Sequence, residues 1–420
     1  MTLKPEQVRP HYASAFRCIG PDCEDTCCRG MWVLIDKLTY EKYQAFPAGE
    51  IRSLVEQYVT LKTEDASDAL YAQINATPSS DCPFLGTDRL CGVQKQFGSE
   101  SLSATCSIYP RVLNRVKSEL EVSLYLSCPE AARLVLLNEH SAAEPQASVD
   151  SGDFRTDQFS ALANNGGDSI HKPFSYFWEV RALTVDLLRD RSRPLWQRLF
   201  LLGVFCREID KSATPEQDAT VPRIVSDVRE IMEAGALRTE LEKLAARPAI
   251  QLDLVLRLTD ERIREGSIGE RFMQCFQMFI AGIGYSEEST LASDVQRYVD
   301  AEERFCRPFL DRHPFIMENY LVNYVFRTLF PFGREASAHF TPQGIFGEYL
   351  LMATQYCLLR GLLIGMAGGY QETFSTEHVV KLVQSFSKAV EHNPVYLKKI
   401  VEFVGSRKLD TPEGIAILLK

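Results

Sequence analysis

The sequence predicts a mostly α-helical protein, with a Cys-rich loop-and-helix N-terminal region ahead of a helical C-terminal domain. Three observations predict it. Apolar residues recur at helical spacing through most of the chain beyond residue 170. No run of alternating segments suggests a Rossmann sheet, and neither Gly282-Ile-Gly284 nor Gly365-Met-Ala-Gly-Gly369 follows a strand as a dinucleotide loop would. Turn formers surround the first cysteines instead of long periodic runs: Gly20-Pro21, Gly30, Pro83, Gly86, Gly92, Gly98, Pro110 and Pro129.

In chain order, residues 1–140 form the Cys-rich region, where Ile51, Leu54, Val55 and Tyr58 share one face of a helix. Residues 141–169 are small and polar, ending in Asn164-Asn-Gly-Gly-Asp168, and read as a linker or mobile loop. Residues 170–420 form the helical domain. Apolar stripes predict helices over 177–188, 194–209, 221–233, 271–283, 316–330, 344–364 and 376–390. Ser375 or Thr376 caps the last of these, whose stripe runs Val379, Val380, Val383, Phe386, Val390. No internal repeat is visible. With 420 residues, the chain has ample apolar material for one large domain or two to three ordinary ones.

An apolar fraction of 45% and a charged fraction of 24% belong to a soluble globular protein. A net charge of −10, without a Lys/Arg run, argues against nucleic acid as a partner. The most apolar long stretch, from Tyr349 to Tyr370, carries Gln355 and Arg360 near its middle. An arginine at a bilayer centre costs about 2.5–3.5 kcal/mol, so a buried helix is expected here and no membrane partner. The first ten residues lack the apolar core of a secretory signal, and a cytoplasmic location is expected. Cysteines there are kept reduced, which puts metal or cluster ligation ahead of a disulfide framework.

The cysteines carry most of the chemical information. Eight of the twelve fall in the first 128 residues: Cys18, Cys23, Cys27, Cys28, Cys82, Cys91, Cys106 and Cys128. Cys206, Cys275, Cys306 and Cys357 are spread singly and read as ordinary buried apolar residues. A group as dense as Cys18-x4-Cys23-x3-Cys27-Cys28 is kept for metal, cluster or disulfide chemistry. A [4Fe–4S] cluster takes four thiolates and so does a structural zinc, so eight can serve one cluster with spares, a cluster and a zinc, or two zincs. The spacing lacks the paired C-x2-C knuckles of zinc ribbons, which favours a cluster, with zinc as the alternative. Adjacent Cys27 and Cys28 fit poorly on one tetrahedral ion, so one of the two is expected to point elsewhere.

The segment around Cys18 to Cys28 resembles the bacterial zinc- or iron-chelating domains named for a C-x2-C-x2-C-C motif, with longer first gaps. Cys82-Pro-Phe-Leu-Gly86, Leu90-Cys-Gly-Val-Gln94 and Thr105-Cys-Ser-Ile-Tyr-Pro-Arg111 resemble the second half of that motif region. Leu126-Ser-Cys-Pro-Glu-Ala-Ala-Arg133 and Glu318-Asn-Tyr-Leu-Val-Asn-Tyr-Val-Phe326 resemble the flagellin lysine-N-methylase family, over nearly the full length of the chain. The resemblance implies a protein-lysine N-methyltransferase that moves methyl groups from S-adenosylmethionine to flagellin, with an iron–sulfur cluster in the Cys-rich half.

Such a transfer is a displacement by a neutral amine, whereas free lysine, with a pKa of about 10.4, is protonated at neutral pH. The site must remove that proton and hold donor and acceptor in line. The polar displacement does not itself need a cluster, whose role is structural, donor-binding or radical-generating. Radical enzymes using S-adenosylmethionine carry C-x3-C-x2-C, and this chain departs from it after Cys23-x3-Cys27. Donor-binding candidates lie on one helix. Asn319, Asn323 and Arg327 repeat at i, i+4, i+8, with Tyr320 and Tyr324 alongside. The stripe either lines a polar cleft or faces water on a half-exposed helix. Arg111 either approaches the cluster beside Cys106 or lies on the surface after Pro110. The seven histidines (His11, His140, His171, His313, His339, His378, His392) show no ligand spacing and are assigned no catalytic role. The competing readings are a non-catalytic protein that binds metal or an iron–sulfur cluster, and a zinc-stabilised helical interaction module.

Overall fold

A computed structural model describes residues 12–30, 33–64, 66–116, 119–139, 164–165, 174–211, 220–235, 237–266, 268–286, 288–333 and 344–420. The expected linker over 141–169 lies outside the described residues except for Asn164 and Asn165, as do His11, His140, His171 and His339.

Two apolar cores organise the chain. The smaller is closed by strands β1 (Val33–Ile35), β2 (Val59–Leu61) and β3 (Ala72–Ile74), with helices α1 (Lys37–Gln44) and α2 (Glu50–Tyr58). The strands are antiparallel in the order β1-β3-β2, and Val33 and Val59 both stand opposite Ile74. Asp36 starts α1 by accepting from the Thr39 amide at 2.8 Å and the Thr39 hydroxyl at 2.6 Å. Ile51 and Val55 of α2 are buried, as their spacing predicts, against Tyr43, Phe84 and Val93. Helices α3 (Gly92–Phe97) and α4 (Ala104–Ile108) follow.

From there the chain joins the larger core. A hairpin of β4 (Arg111–Val116) and β5 (Glu119–Leu124) leads into α5 (Pro129–Leu136), and all three pack on the helical half. The hairpin is fastened to that half by polar contacts. Asn114 donates to the carbonyls of Phe326 and Arg327 at 2.7 and 3.2 Å. Arg181 donates to both oxygens of Glu121 at 3.2 and 3.1 Å, with its guanidinium 4.7 Å from the ring centres of Phe177 and Phe326.

The helical half runs through α6 (Phe177–Arg189), α7 (Leu195–Lys211), α8 (Val221–Glu233), α9 (Pro248–Arg264), α10 (Glu270–Ile283) and α11 (Leu291–Ala301). It continues through α12 (Phe315–Thr328), α13 (Gly344–Tyr370), α14 (Thr376–Phe386), α15 (Pro394–Ser406) and α16 (Pro412–Leu419). The result is the mostly α architecture that the periodicity predicts. Helix α13 is the axis, packed by α7, α9, α10 and α11. It is apolar on all sides because it is surrounded on all sides. Its most apolar window is long enough to cross a membrane, but 89% of that window is buried inside the protein. Arg360 within it pairs with Glu302 and donates to Gln251 at 3.2 Å.

The closest helix crossing depends on glycine. A Cβ on Gly282 of α10 would stand 1.7 Å from the Gly365 carbonyl oxygen of α13, so the two backbones touch where neither has a side chain. Two helix ends differ from the sequence reading. The helix expected over 316–330 stops at Thr328, where Leu329 takes a left-handed φ of 57°. The helix expected over 376–390 is α-helical to Phe386 and then widens into a π turn, Ser387–Glu391.

Candidate functional site

The four clustered cysteines occupy a loop shaped by short-range bonds. Gly20 has a left-handed φ of 59°, and its amide donates to the Cys18 sulfur at 3.5 Å. The Cys23 thiol donates to the Asp25 carbonyl at 3.3 Å, and Thr26 accepts from the Cys28 amide at 3.2 Å. The second segment pairs directly with this loop. The Cys82 amide donates to the Cys28 carbonyl at 2.7 Å, beside an Arg29–Asp81 ion pair at 2.6 Å. Cys91 bridges to Leu85 and opens α3. Cys106 sits in α4, its amide held by the Ser103 hydroxyl at 3.1 Å. Cys128 opens α5, with Pro129 in the first turn.

The sulfurs therefore gather from four parts of the chain. The Cys27 and Cys82 thiols beside Cys28 favour its thiolate and hold its pKa below the ordinary thiol range. In the same contacts Cys27 and Cys82 serve as the protonated donors and are raised. Burial pushes the Cys106 and Cys128 thiols up to about 12 each, against bonds from Ser103 to Cys106 and from the Ala131 and Glu130 backbone to Cys128. Cys91 is raised by burial too, and is bonded by the backbone of Gln94 and Val93. Yet Cys18, Cys27 and Cys106 are exposed to water. Cys206, Cys275, Cys306 and Cys357 are buried, as expected for ordinary apolar packing.

Among the described residues no three His, Cys, Asp or Glu side chains stand close enough together to hold a single metal ion. A polynuclear cluster spreads its thiolates around a larger body. The donor set fits one: sulfur ligands only, from loops and helix starts, several of them accepting backbone N–H bonds of the kind that tune such clusters.

The cysteine loop is clamped to the helical half. Lys388 on the π turn reaches both Asp25 oxygens at 3.0 Å, and Gln384 donates to Asp25 at 2.8 Å. Arg133 holds Glu24 through two bonds at 2.6 and 3.0 Å, and those bonds hold the Glu24 carboxyl below its usual range. Next to Cys128, the Tyr109 and Ser127 hydroxyls are 3.0 Å apart, and Ser127 is 2.8 Å from Nε2 of half-buried His392. Tyr125 packs against His392 with tilted rings whose centres are 4.6 Å apart. Arg111 is half-buried, bonded to the Phe16 carbonyl at 3.3 Å and lying over the Phe16 ring.

The stripe on α12 is buried along its whole length, not half-exposed, and its side chains meet partners within the chain. Asn319 donates to the Asn138 carbonyl at 2.8 Å. Asn323 donates to the Leu124 carbonyl at 3.0 Å and accepts from Tyr12 at 2.5 Å. Gln355 donates to the Tyr324 hydroxyl at 3.3 Å. Tyr320 and Arg327 both bond Glu391 of the π turn, at 2.9 and 3.1 Å, and Ser387 bonds its other oxygen at 2.6 Å. One five-residue turn thus carries Lys388 toward the cysteine loop and Glu391 toward the stripe, and His392 follows it. Lys388, Glu391 and His392 have no signature in the sequence, because their partners lie 60 to 360 positions away in the chain and nothing local announces them.

These features define a mostly helical protein whose N-terminal cysteine loop is clamped to its C-terminal helices. Residues 181–418, more than half of the chain, match the C-terminal domain of the FliB lysine N-methylase family, and the chain belongs to that family. It is 27% identical over 310 residues to a lysine-N-methylase of Salmonella choleraesuis, covering 71% of this chain and 73% of the relative. The lysine-N-methylase of Salmonella typhimurium gives the same identity and coverage. The flagellar biosynthetic protein FliU of Salmonella muenchen is 38% identical over 131 residues, 31% of this chain and 76% of the relative. No solved structure matches.

Proposed function

We propose that this chain is a protein-lysine N-methyltransferase that takes methyl groups from S-adenosylmethionine, acts on lysines of flagellin, and binds a [4Fe–4S] cluster through its N-terminal cysteines. The observation that carries the reading is the match of residues 181–418 to the FliB lysine N-methylase C-terminal domain, onto which the cysteine loop is clamped through Asp25 and Lys388. The names of the relatives support lysine methylation and a flagellar substrate.

The transfer forms a bond from the lysine nitrogen to the methyl carbon and breaks the carbon–sulfur bond of the sulfonium. The electron pair stays on sulfur and the amine gives up a proton. We assign His392 as the group that takes that proton. It is half-buried, beside the thiols, and its Nε2 is tied through Ser127 to Tyr109, a chain along which a proton can move. When bound, the cluster supplies an iron able to hold polar groups of the donor. The stripe residues Asn319, Tyr320, Asn323, Tyr324 and Arg327 are engaged with internal partners, so we assign Tyr320 and Arg327 to positioning the π turn, and Asn319, Asn323 and Tyr324 to holding α12 against its neighbours, and none of them to contact with the donor.

The test is methyl transfer from labelled S-adenosylmethionine to purified flagellin, with lysine-blocked flagellin as control. Label that appears on flagellin and disappears when its lysines are blocked supports the reading. A folded, iron-loaded chain that transfers no label would be a non-catalytic iron–sulfur protein instead.

A further inference from the structure

The cysteine loop meets the second cysteine segment through paired backbone. The Cys82 amide donates to the Cys28 carbonyl at 2.7 Å, and the Gly30 amide donates to the Ser80 carbonyl at 3.0 Å. These two bonds flank an antiparallel bridge between Arg29 and Asp81, whose side chains are ion-paired at 2.6 Å. That register sets Cys28 and Cys82 opposite each other. The Asp81 side is held by a turn in which the Thr77 amide donates to the Asp81 carbonyl at 2.9 Å and the Ser79 hydroxyl donates to its carboxylate at 3.2 Å. On the other side the Arg29 amide donates to the Thr26 carbonyl at 3.3 Å, closing a turn that presents Cys28.

Residues opposite each other in an antiparallel pair have their Cα atoms about 4.5–5.5 Å apart. A disulfide takes a Cα separation of about 4.4–6.8 Å, so this pair can be bridged where it stands. The Cys82 thiol lies beside that of Cys28. Both residues are half-buried and within reach of a small oxidant. The competing bond is between the neighbours Cys27 and Cys28. Their peptide is trans, which holds adjacent Cα atoms about 3.8 Å apart, below the range that a disulfide takes. Among the described residues no other two cysteines stand opposite each other across paired backbone.

We infer that Cys28 and Cys82 form a reversible disulfide in the metal-free protein, a redox modification site that governs whether the loop takes up iron. The bond itself follows from the backbone pairing. Its consequence for iron rests on the reading of the N-terminal thiols as cluster ligands, because oxidation withdraws two of the eight. The oxidant is a low-molecular-weight disulfide such as glutathione disulfide. One cysteine thiolate attacks a glutathione sulfur, forming a mixed disulfide and expelling glutathione thiolate. The other cysteine gives up its proton and attacks the cysteine sulfur of that mixed disulfide, releasing the second glutathione. Two protein thiols are oxidised to one disulfide while one glutathione disulfide is reduced to two thiols. The cross-link fixes the loop, already clamped at Asp25 by Lys388, to the small core on which Cys82 packs.

The experiment uses the full chain, stripped of metal and equilibrated with reduced and oxidised glutathione at a fixed ratio, then alkylated and mapped by mass spectrometry without reduction. The expected product is a cross-link between Cys28 and Cys82, located by fragmentation, that disappears on treatment with dithiothreitol. Cys82→Ser should leave glutathione on Cys28 in place of the cross-link, whereas Cys27→Ser and Cys91→Ser should keep it. A Cys27–Cys28 bond, a cross-link through Cys27, or glutathione adducts alone on the wild-type chain would overturn the inference. The wild-type map needs no substitution, so a variant that misfolds does not decide the matter. Iron(II) bound per chain is then measured on each sample by anaerobic dialysis, without sulfide, which would itself reduce the bond. The cross-linked chain should bind far less iron than the reduced chain and recover it after reduction, and equal binding would overturn the control of iron uptake. A reduced chain that takes up no iron even with sulfide supplied would remove the cluster reading, and the peptide map would still decide the disulfide.

Discussion

Glu391→Gln removes one negative charge from a carboxylate that holds three donors. Its Oε1 accepts from Tyr320 at 2.9 Å and pairs with Arg327 at 3.1 Å, and its Oε2 accepts from Ser387 at 2.6 Å. The Glu391 and Arg327 side chains are only 2% and 6% exposed, so solvent screens the pair little. Breaking a buried pair from one side leaves an uncompensated charge and costs about 3–5 kcal/mol. Glutamine keeps the shape and one acceptor oxygen, which puts the expected loss near the lower end, about 3 kcal/mol. Urea unfolding followed by circular dichroism measures it. A companion Arg327→Met/Glu391→Leu variant, with no charge left unpaired, should recover much of the loss. A loss below about 1 kcal/mol in Glu391→Gln would be that of a solvent-screened surface pair and would refute the argument that this carboxylate anchors the π turn.

Four further outcomes are expected. Gly282→Ala should destabilise the protein by well over the usual overpacking cost of about 1–3 kcal/mol, because its methyl would meet the Gly365 backbone oxygen and neither backbone can yield; thermal unfolding measures it. Asp25→Asn should speed alkylation of the loop cysteines in the metal-free protein, because Lys388 and Gln384 lose the carboxylate that clamps the loop; an unchanged rate would mean that the loop is held by other contacts. Arg133 depresses the Glu24 carboxyl in the folded state, so this pair contributes stability above the ordinary glutamate value and loses it as pH falls through the folded value. The unfolding temperature of the wild type should therefore drop more steeply in acid than that of Arg133→Met. His392→Gln should slow methyl transfer, and its rate should climb with pH toward the range where lysine loses its proton unaided, while the wild-type rate levels off earlier. Parallel profiles would remove His392 as the base.

Much of the helical half is legible in the sequence. The segment over 221–233 is observed with those bounds, and those over 177–188, 194–209 and 271–283 shift by at most two residues at either end. Such helices bury one face, and burial on one face writes a period of 3.6 into the sequence. Helix α13 extends to Tyr370, well past the residue-364 end read from its stripe, because Met366, Ala367 and Gly368 continue the surrounded segment without a polar face to mark it. The hairpin β4–β5 was not anticipated. Its signal was the strict alternation of Glu119-Leu-Glu-Val-Ser-Leu124, obscured because Glu121 and Ser123 are buried beside Val122 and Leu124. The N-terminal cysteines stand out in the sequence by density alone. Where each sits could not be read there, because Cys82 and Cys91 pack on one core and Cys128 on the other through contacts distant in sequence. The α12 stripe was read correctly as periodic, but its surroundings were not: a polar row on a helix looks the same in sequence whether it faces water, a cleft, or, as here, the carbonyls and carboxylates of neighbouring elements.

The most direct test of the central claim is the mass spectrum of flagellin peptides after incubation with the anaerobically reconstituted chain and S-adenosylmethionine. Methyl mass increments on lysine, absent when the donor is omitted and lost with the cysteine variants that lose their iron, are the expected result. Unmodified lysines after incubation with a folded chain that carries its full iron would contradict the claim and leave an iron–sulfur protein without methyltransferase activity.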